Sequence, residues 1–312
     1  MARKLTIGAA QLGPIARDES RQAVVKRLID LLHKAHARGC ELVVYPEMAL
    51  TTFFPRWYMT EQAEVDAFFE REMPSAATRP LFEEARRLGV GFYLGYAELA
   101  VEGGRTRHFN TAILVGRDGK LIGKYRKIHL PGHAEHEPQR PFQHLEKRYY
   151  EVGDLGWPVW RAFGGLAGMC LCNDRRWPET YRVMGLQGVE LVMLGFNTPE
   201  INAAIAEPSH HRMLHHLLSI QSGAYQNGTW VVAVAKAGIE EGCMLIGGTA
   251  VVSPAGEIVA LASTLGDELL AHEIDLDACA PIKETVFNFA KHRRPEHYRL
   301  IVERTGAIPP PE

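Results

Sequence analysis

Short apolar runs alternate along this chain with longer stretches whose apolar residues recur every three or four positions. The first kind of run predicts buried strands, the second helices with one face turned inward. Residues 5–11 read as a strand. A helix of about twenty residues follows, with Val24, Val25, Leu28, Leu31 and Leu32 on one face, a candidate cap at Asp18 and an end near Gly39. Residues 41–45 predict a second strand, 79–88 a helix and 91–98 a third strand. A hairpin is expected at 111–115 and 120–125, turning at Asp118-Gly119. After a long connection, 128–159, come strand 166–171, a helix beyond Pro178, strand 190–194, a long helix near 210–226 and strand 229–235. A second hairpin begins at 249–252 and turns at Pro254-Ala255-Gly256.

Strands alternating with helices predict an α/β fold. The two hairpins resemble each other: Thr111-Ala112-Ile113-Leu114 through Gly119-Lys120-Leu121 echoes Thr249-Ala250-Val251-Val252 through Gly256-Glu257-Ile258, with one residue gapped. A divergent internal repeat would stack two sheets face to face with helices outside both. Chance likeness of hairpin chemistry accounts for the same residues equally well.

Composition narrows the class. The chain has 312 residues, 46% of them hydrophobic, enough for one sizeable core, and no low-complexity segment divides it. Residues 1–312 are therefore read as a single domain, with an extension from about Lys283 that could pack on a neighbouring subunit. A formal net charge of −2 gives no electrostatic case for nucleic acid or an anionic membrane. No apolar run approaches the ~20 residues that span a bilayer. Met1-Ala2-Arg3-Lys4 leads into a strand with no signal-peptide core. Five irregularly spaced cysteines do not form a disulfide framework, so a reducing cytoplasm is expected.

Candidate chemistry gathers just past three strands. Gly168-Met169-Cys170-Leu171-Cys172 ends in a thiol, followed by Asn173-Asp174-Arg175-Arg176-Trp177-Pro178-Glu179. Strand alternation would put Cys170 and Cys172 on one face; adjacency to the polar turn favours Cys172. Glu47 follows Val43-Val44-Tyr45-Pro46, and Lys127 follows Gly123-Lys124-Tyr125-Arg126. Ligands of open α/β sheets gather at the carboxyl ends of strands. Thiol, carboxylate and ammonium there make a nucleophile, a proton acceptor and a cationic stabiliser, suited to acyl transfer. The two arginines suit a substrate that carries a carboxylate.

These segments resemble the Glu-Lys-Cys signature of the nitrilase superfamily of carbon–nitrogen hydrolases, in order and spacing, from Leu5-Thr6-Ile7-Gly8-Ala9-Ala10-Gln11 to the end of the chain. Within it the pattern is most similar to hydrolases of N-carbamoyl-D-amino acids. The superfamily's usual cysteine segment continues Tyr-Asp-x-Arg-Phe-Pro-Glu. Here Asn173 replaces the tyrosine, Trp177 the phenylalanine, Arg176 keeps the family's arginine and Arg175 fills the variable position.

The resemblance implies a four-layer α-β-β-α sandwich, a homodimer or homotetramer, and hydrolysis of an N-carbamoyl-D-amino acid to the D-amino acid, carbon dioxide and ammonia with no cofactor. Another superfamily amidase or a β-ureido acid hydrolase is the alternative. Glu47 would serve as base, Cys172 as nucleophile, Lys127 and the Asn173 backbone N–H as oxyanion donors, and Glu146 as the second acid that positions substrate or water. His144, Asn197 and Thr198 would bind substrate, and His129 would support the Glu47 side. Arg175 is the first candidate for the substrate carboxylate; Arg176 is the second, or braces the turn through Asp174 or Glu179. The histidines of 128–159, together with His210, His211, His215 and His216, keep a zinc amidohydrolase in view as a remote alternative, although no general-base glutamate accompanies the helical pair.

Overall fold

The computed structural model describes residues 2–201 and 204–311. Its strands are β1 (Lys4–Gln11), β2 (Leu42–Val44), β3 (Gly91–Glu102), β4 (Arg105–Val115), β5 (Leu121–Arg126), β6 (Val159–Ala162), β7 (Gly165–Leu171), β8 (Leu191–Phe196), β9 (Trp230–Ala235), β10 (Ala237–Glu240), β11 (Cys243–Ile246), β12 (Ala250–Val252), β13 (Ile258–Leu261) and β14 (Glu268–Asp275). Two six-stranded sheets run β14-β1-β2-β3-β4-β5 and β13-β12-β9-β8-β7-β6, and β10 and β11 form a separate ribbon.

The sheets repeat one plan. Each has three parallel strands, β1-β2-β3 or β7-β8-β9, flanked by an antiparallel strand on one side and an antiparallel hairpin on the other. The two hairpins even share an irregularity, a register shift at Leu114/Val115 in one and at Val251/Val252 in the other. That shared plan favours the repeat reading of their sequences over chance.

Strand alternation builds the layers. In β1, Leu5, Ile7 and Ala9 face the second sheet, while Ala10 joins the helix-covered side. The helix Arg21–Ala37 lays Val24, Val25, Leu28, Leu31 and Leu32 on that outer face. Fully burying each such side chain contributes roughly 1.5–3 kcal/mol. Its cap is Ser20, whose side chain accepts from the Ala23 N–H, and not the expected Asp18. The helix Arg79–Leu88 packs beside it; Pro178–Leu186 and His210–Asn227 cover the second sheet. The result is the expected four-layer α-β-β-α sandwich.

Strands β6, β10, β11 and β14 and the first part of β4 were outside the sequence expectation. β10 is interrupted by Gly238 and Glu240, β11 is an apolar run of only four residues, and β14 alternates weakly because it is an edge strand. Residues from 280 onward form only short helices with exposed apolar side chains such as Ile301 and Val302. Among the described residues no helix is long and apolar enough to cross a membrane.

Candidate active site

The parallel order of β2, β7 and β8, with β5 running the same way through two antiparallel steps, sends Glu47, Lys127, Cys172 and Asn197 to one edge of the sandwich. Pro46 lacks an N–H and ends the β2 ladder, so Glu47 leaves the sheet. It enters the seam between the sheets because two glycines make room. A Cβ on Gly95 of β3 would stand 2.7 Å from the Glu47 Cα, and one on Gly195 of β8 would stand 2.4 Å from its nitrogen. Both catalytic turns use left-handed backbone at non-glycine residues: Met48, next to Glu47, has φ 48° and Cys172 has φ 45°. Such positions cost of order 1–3 kcal/mol and cluster at functional sites.

The positive φ also separates the two cysteines. Cys172 departs from strand geometry and starts the short 3-10 helix Cys172–Arg176, so alternation no longer equates it with Cys170. The N–H of Asn173 falls in the first turn of that helix, among the donors a helix leaves without internal partners.

Glu47, Lys127 and Glu146 are fully buried. The Lys127 ammonium donates to Glu47 Oε1 at 2.8 Å and to Glu146 Oε2 at 2.6 Å. Asn110 Nδ2 donates to the same Glu47 oxygen at 2.8 Å, and the Asn197 N–H holds Oε2 at 3.0 Å. Cys172 Sγ lies 3.4 Å from the Asn197 carbonyl. Burial alone would lower the Lys127 ammonium, but the acidic groups around it, Cys172, Glu146 and Glu47, outweigh burial and hold it above the usual lysine range. Burial pushes Glu146 up, yet Lys127 and His144 leave it below the usual carboxylate range. The Cys172 thiol is raised by burial and by Glu47, against the pull of Lys127 and Arg175. It therefore needs a base to release its proton at neutral pH.

Several expected roles are redistributed. Arg175 is only 2% exposed; it donates to the Cys172 carbonyl at 2.6 Å and to the Thr198 hydroxyl at 2.8 Å, and its guanidinium lies over the Phe196 ring. Two of its nitrogens brace the cysteine turn, and its buried Nε lacks a partner among the described residues. Thr198 is thereby occupied as well. Asn197 holds Glu47, through its N–H and through Nδ2 to the Glu47 carbonyl at 3.1 Å, and its buried Oδ1 lacks a partner among the described residues. His129 is not on the Glu47 side: its N–H and Nδ1 meet Asp174 Oδ1 at 2.9 and 3.0 Å, and its ring stacks on Trp177. Asp174 also accepts from Tyr125 at 2.6 Å and from the Leu171 N–H at 3.1 Å, so it braces the turn without Arg176.

Arg176 is the side chain left open. Its Nε and Nη2 are buried with no hydrogen-bond partner among the described residues. Burial and the charges of Arg175 and Arg212 destabilise its guanidinium, which nonetheless stays protonated as arginine does in proteins. Together with His144, Arg140, Arg212, Phe142 and Pro199 it lines a cleft of about 180 Å³. Arg140 is paired with Glu137 and Arg212 with Glu207. His144 faces the cleft as expected, with Nε2 3.2 Å from Glu146 Oε1.

Among the described residues no three His, Cys, Asp or Glu side chains converge as metal ligands. His129 is engaged with Asp174, His133 with Glu137, and the fully buried His216 with the Gly248 carbonyl. The zinc alternative thus has no ligand set here. Sequence reasoning missed Asn110, although an asparagine inside a strand run is itself a signal. It also missed Gly95 and Gly195, whose role exists only once the sheets are stacked.

A family profile described as carbon-nitrogen hydrolase matches residues 6–284. An N-carbamoylputrescine amidase of Arabidopsis thaliana is 27% identical over 289 residues, covering 89% of each chain. A nitrilase of Pyrococcus abyssi is 30% identical over 270 residues, covering 86% of this chain and 90% of the other. The crystal structure of a carbon-nitrogen hydrolase from Helicobacter pylori G27 superposes with a TM-score of 0.81 at 24% identity, covering 96% of this chain and 99% of that one. A mutant amidase from Nesterenkonia sp. AN1, showing covalent addition of the acetamide moiety of fluoroacetamide at its active-site cysteine, has a TM-score of 0.71 at 20% identity and 95% coverage of both chains.

Proposed function

The chain belongs to the carbon-nitrogen hydrolase family, and on that premise we propose that it hydrolyses N-carbamoyl amino acids, of the D series, through a covalent intermediate on Cys172. Glu47 takes the thiol proton, which the unperturbed thiol pKa of about 8.5 would otherwise retain at neutral pH. The sulfur attacks the ureido carbonyl. Lys127 and the Asn173 N–H stabilise the oxyanion, a contribution worth ~3–4 kcal/mol per donor. Glu47 returns its proton to the departing nitrogen and ammonia leaves. Water, activated by Glu47 with Glu146 beside it, cleaves the thioester-like bond, and the released carbamic acid loses carbon dioxide to give the free amino acid.

The observation that carries the carboxylate-bearing substrate is Arg176, a guanidinium with two buried, unpartnered nitrogens on the cleft that His144 and Glu146 join to Lys127. A substrate carboxylate would satisfy both nitrogens at once. With Arg140 and Arg212 paired to carboxylates, the guanidinium of Arg176 is the cleft charge that disfavours a substrate ending in an ammonium group, which separates this reading from the N-carbamoylputrescine amidases among the relatives. The D preference rests on the likeness of the motif and not on geometry. Ammonia release from paired D- and L-N-carbamoyl amino acids, the matching N-carbamoyl amine, a β-ureido acid and simple amides tests the proposal. Preference for the N-carbamoyl amine over the amino acid would overturn it.

A further inference from the structure

A second buried ionic cluster stands behind the substrate side of the site, and the hydrolytic steps make no use of it. Glu240, at the end of β10, is fully buried between the cations Arg56 and Lys236. Its Oε1 accepts from Arg56 Nη2 and from the Phe53 N–H, both at 2.8 Å. Its Oε2 accepts from Lys236 Nζ at 2.8 Å and from the Ile15 N–H at 3.1 Å. Lys236 Nζ also donates to the Thr51 carbonyl at 2.8 Å, and Arg56 Nη1 donates to the Glu240 carbonyl. One carboxylate and two cations thus clamp residues 51–56, the loop that begins four residues after Glu47.

That loop carries the segment bearing two residues of the site. The Gln143 N–H donates to the Arg56 carbonyl at 3.1 Å, and the Leu145 N–H to the Pro55 carbonyl at 2.8 Å. Between them the His144 ring meets the Phe53 ring edge-on, with centroids 5.5 Å apart. His144 touches Glu146, and Glu146 holds Lys127. The connection from Glu240 to the catalytic ammonium is continuous and directional.

We infer that Glu240 is a positioning residue of the hydrolytic site: by clamping residues 51–56 it sets where Phe53, His144 and Glu146 stand relative to Lys127 and the bound substrate. Stability alone is a weak reason for such a cluster, because well-packed apolar residues often replace buried ion pairs at no loss. What the charges add is a fixed direction for each loop group. Glu47 is held by Asn110 and Asn197 as well as by Lys127, and among the described residues neither asparagine side chain bonds to the cluster.

This inference rests on reading the Cys172 site as hydrolytic, and its test uses whichever substrate of the panel the wild type hydrolyses best, so an error in substrate class leaves the test standing. Glu240→Gln keeps the shape and turns an acceptor into a donor facing donors. Measured well below its own Tm, it should lose about tenfold or more in kcat/KM, while alkylation of Cys172 by iodoacetamide stays within about twofold of wild type. Phe53→Leu should lower kcat/KM by the same route, and the double variant should be no worse than the more affected single, because both act through one contact. Turnover within about twofold of wild type despite a lowered Tm would make Glu240 merely structural. Equal loss of alkylation and turnover, or multiplication of the two single effects, would also overturn the inference. Should Glu240→Gln not accumulate folded, Lys236→Gln, which frees the Thr51 carbonyl and leaves the Glu240–Arg56 pair, is measured in the same way. A several-fold kcat/KM loss with intact alkylation supports the inference, and unchanged turnover overturns it.

Discussion

In the catalytic centre every buried charge has its partner: Lys127 lies between Glu47 and Glu146, Asn110 and Asn197 fill the remaining places on Glu47, and His144 meets Glu146. In the cleft that borders it through His144, Arg140 and Arg212 have acidic partners, whereas two buried nitrogens of Arg176 have none among the described residues. The carboxylates and the ammonium of the first region are paired without a ligand and so are organised before substrate arrives, although Asn110 Oδ1, Asn197 Oδ1 and Arg175 Nε lack partners among the described residues. The second leaves Arg176 Nε and Nη2 without partners among the described residues, and on the proposed function a substrate carboxylate would fill that place. Two adjacent residues mark the border. Arg175 bonds to the turn that begins at Cys172, and Arg176 lines the cleft.

Breaking the centre should have the largest effect. Cys172→Ala should abolish ammonia release while leaving thermal unfolding close to wild type, and Cys170→Ala should keep activity. Glu47→Gln should slow acylation by ~10²–10⁴-fold, measured by single-turnover kinetics. The same variant has a pH signature. Because burial and the Glu47 charge together raise the Cys172 thiol, removing that charge should move the midpoint of Cys172 alkylation to lower pH. An unmoved midpoint would mean that Glu47 does not face the thiol.

Breaking the cleft should be smaller and selective. Arg176→Ala and Arg176→Lys should each cost about 2–4 kcal/mol in kcat/KM on N-carbamoyl amino acids and change little on the matching N-carbamoyl amine. Arg175→Lys should instead lower both by similar factors, since it loosens the Cys172 carbonyl and Thr198. The opposite pattern for the two arginines would erase the border drawn between the regions.

Acid and base should act differently on two groups of the centre. The Glu146 carboxyl is lowered in the folded chain, so its pairing stabilises the fold fully above the ordinary glutamate pKa of about 4.3, and that stability is lost as pH falls through the lower folded value. Lys127 is raised, so its contribution is present below about 10.4 and is lost only as pH rises through its higher folded value. Unfolding curves of Glu146→Gln should therefore converge on those of wild type at low pH. The smallest effect lies far from both regions: Ser20→Ala removes a helix cap, and about 1 kcal/mol of stability should go with it while kinetics stay unchanged.

Much of this was legible in the chain. The apolar period of residues 21–37, the paired hairpins and the three chemical groups past strand ends all report local rules: side-chain alternation, helical period and turn chemistry act over a few residues. One failure was local, and in the larger ones the deciding partner lay far away in sequence. Asp18 lost the cap to Ser20 by a local margin, but His129 was assigned to Glu47 when Asp174, 45 residues on, holds it.

The sequence by itself determined the α/β class, the order of most elements and the identity of a thiol, a carboxylate and an ammonium at strand ends, because these follow from short-range periodicity and from which residues break a strand. Only the tertiary structure decided which arginine braces and which stays open, that Asn110 and Asn197 hold Glu47, and that Gly95 and Gly195 admit it between the sheets. Those outcomes depend on which groups two stacked sheets bring within about 3 Å, the reach of a hydrogen bond, and chain spacing does not encode that distance.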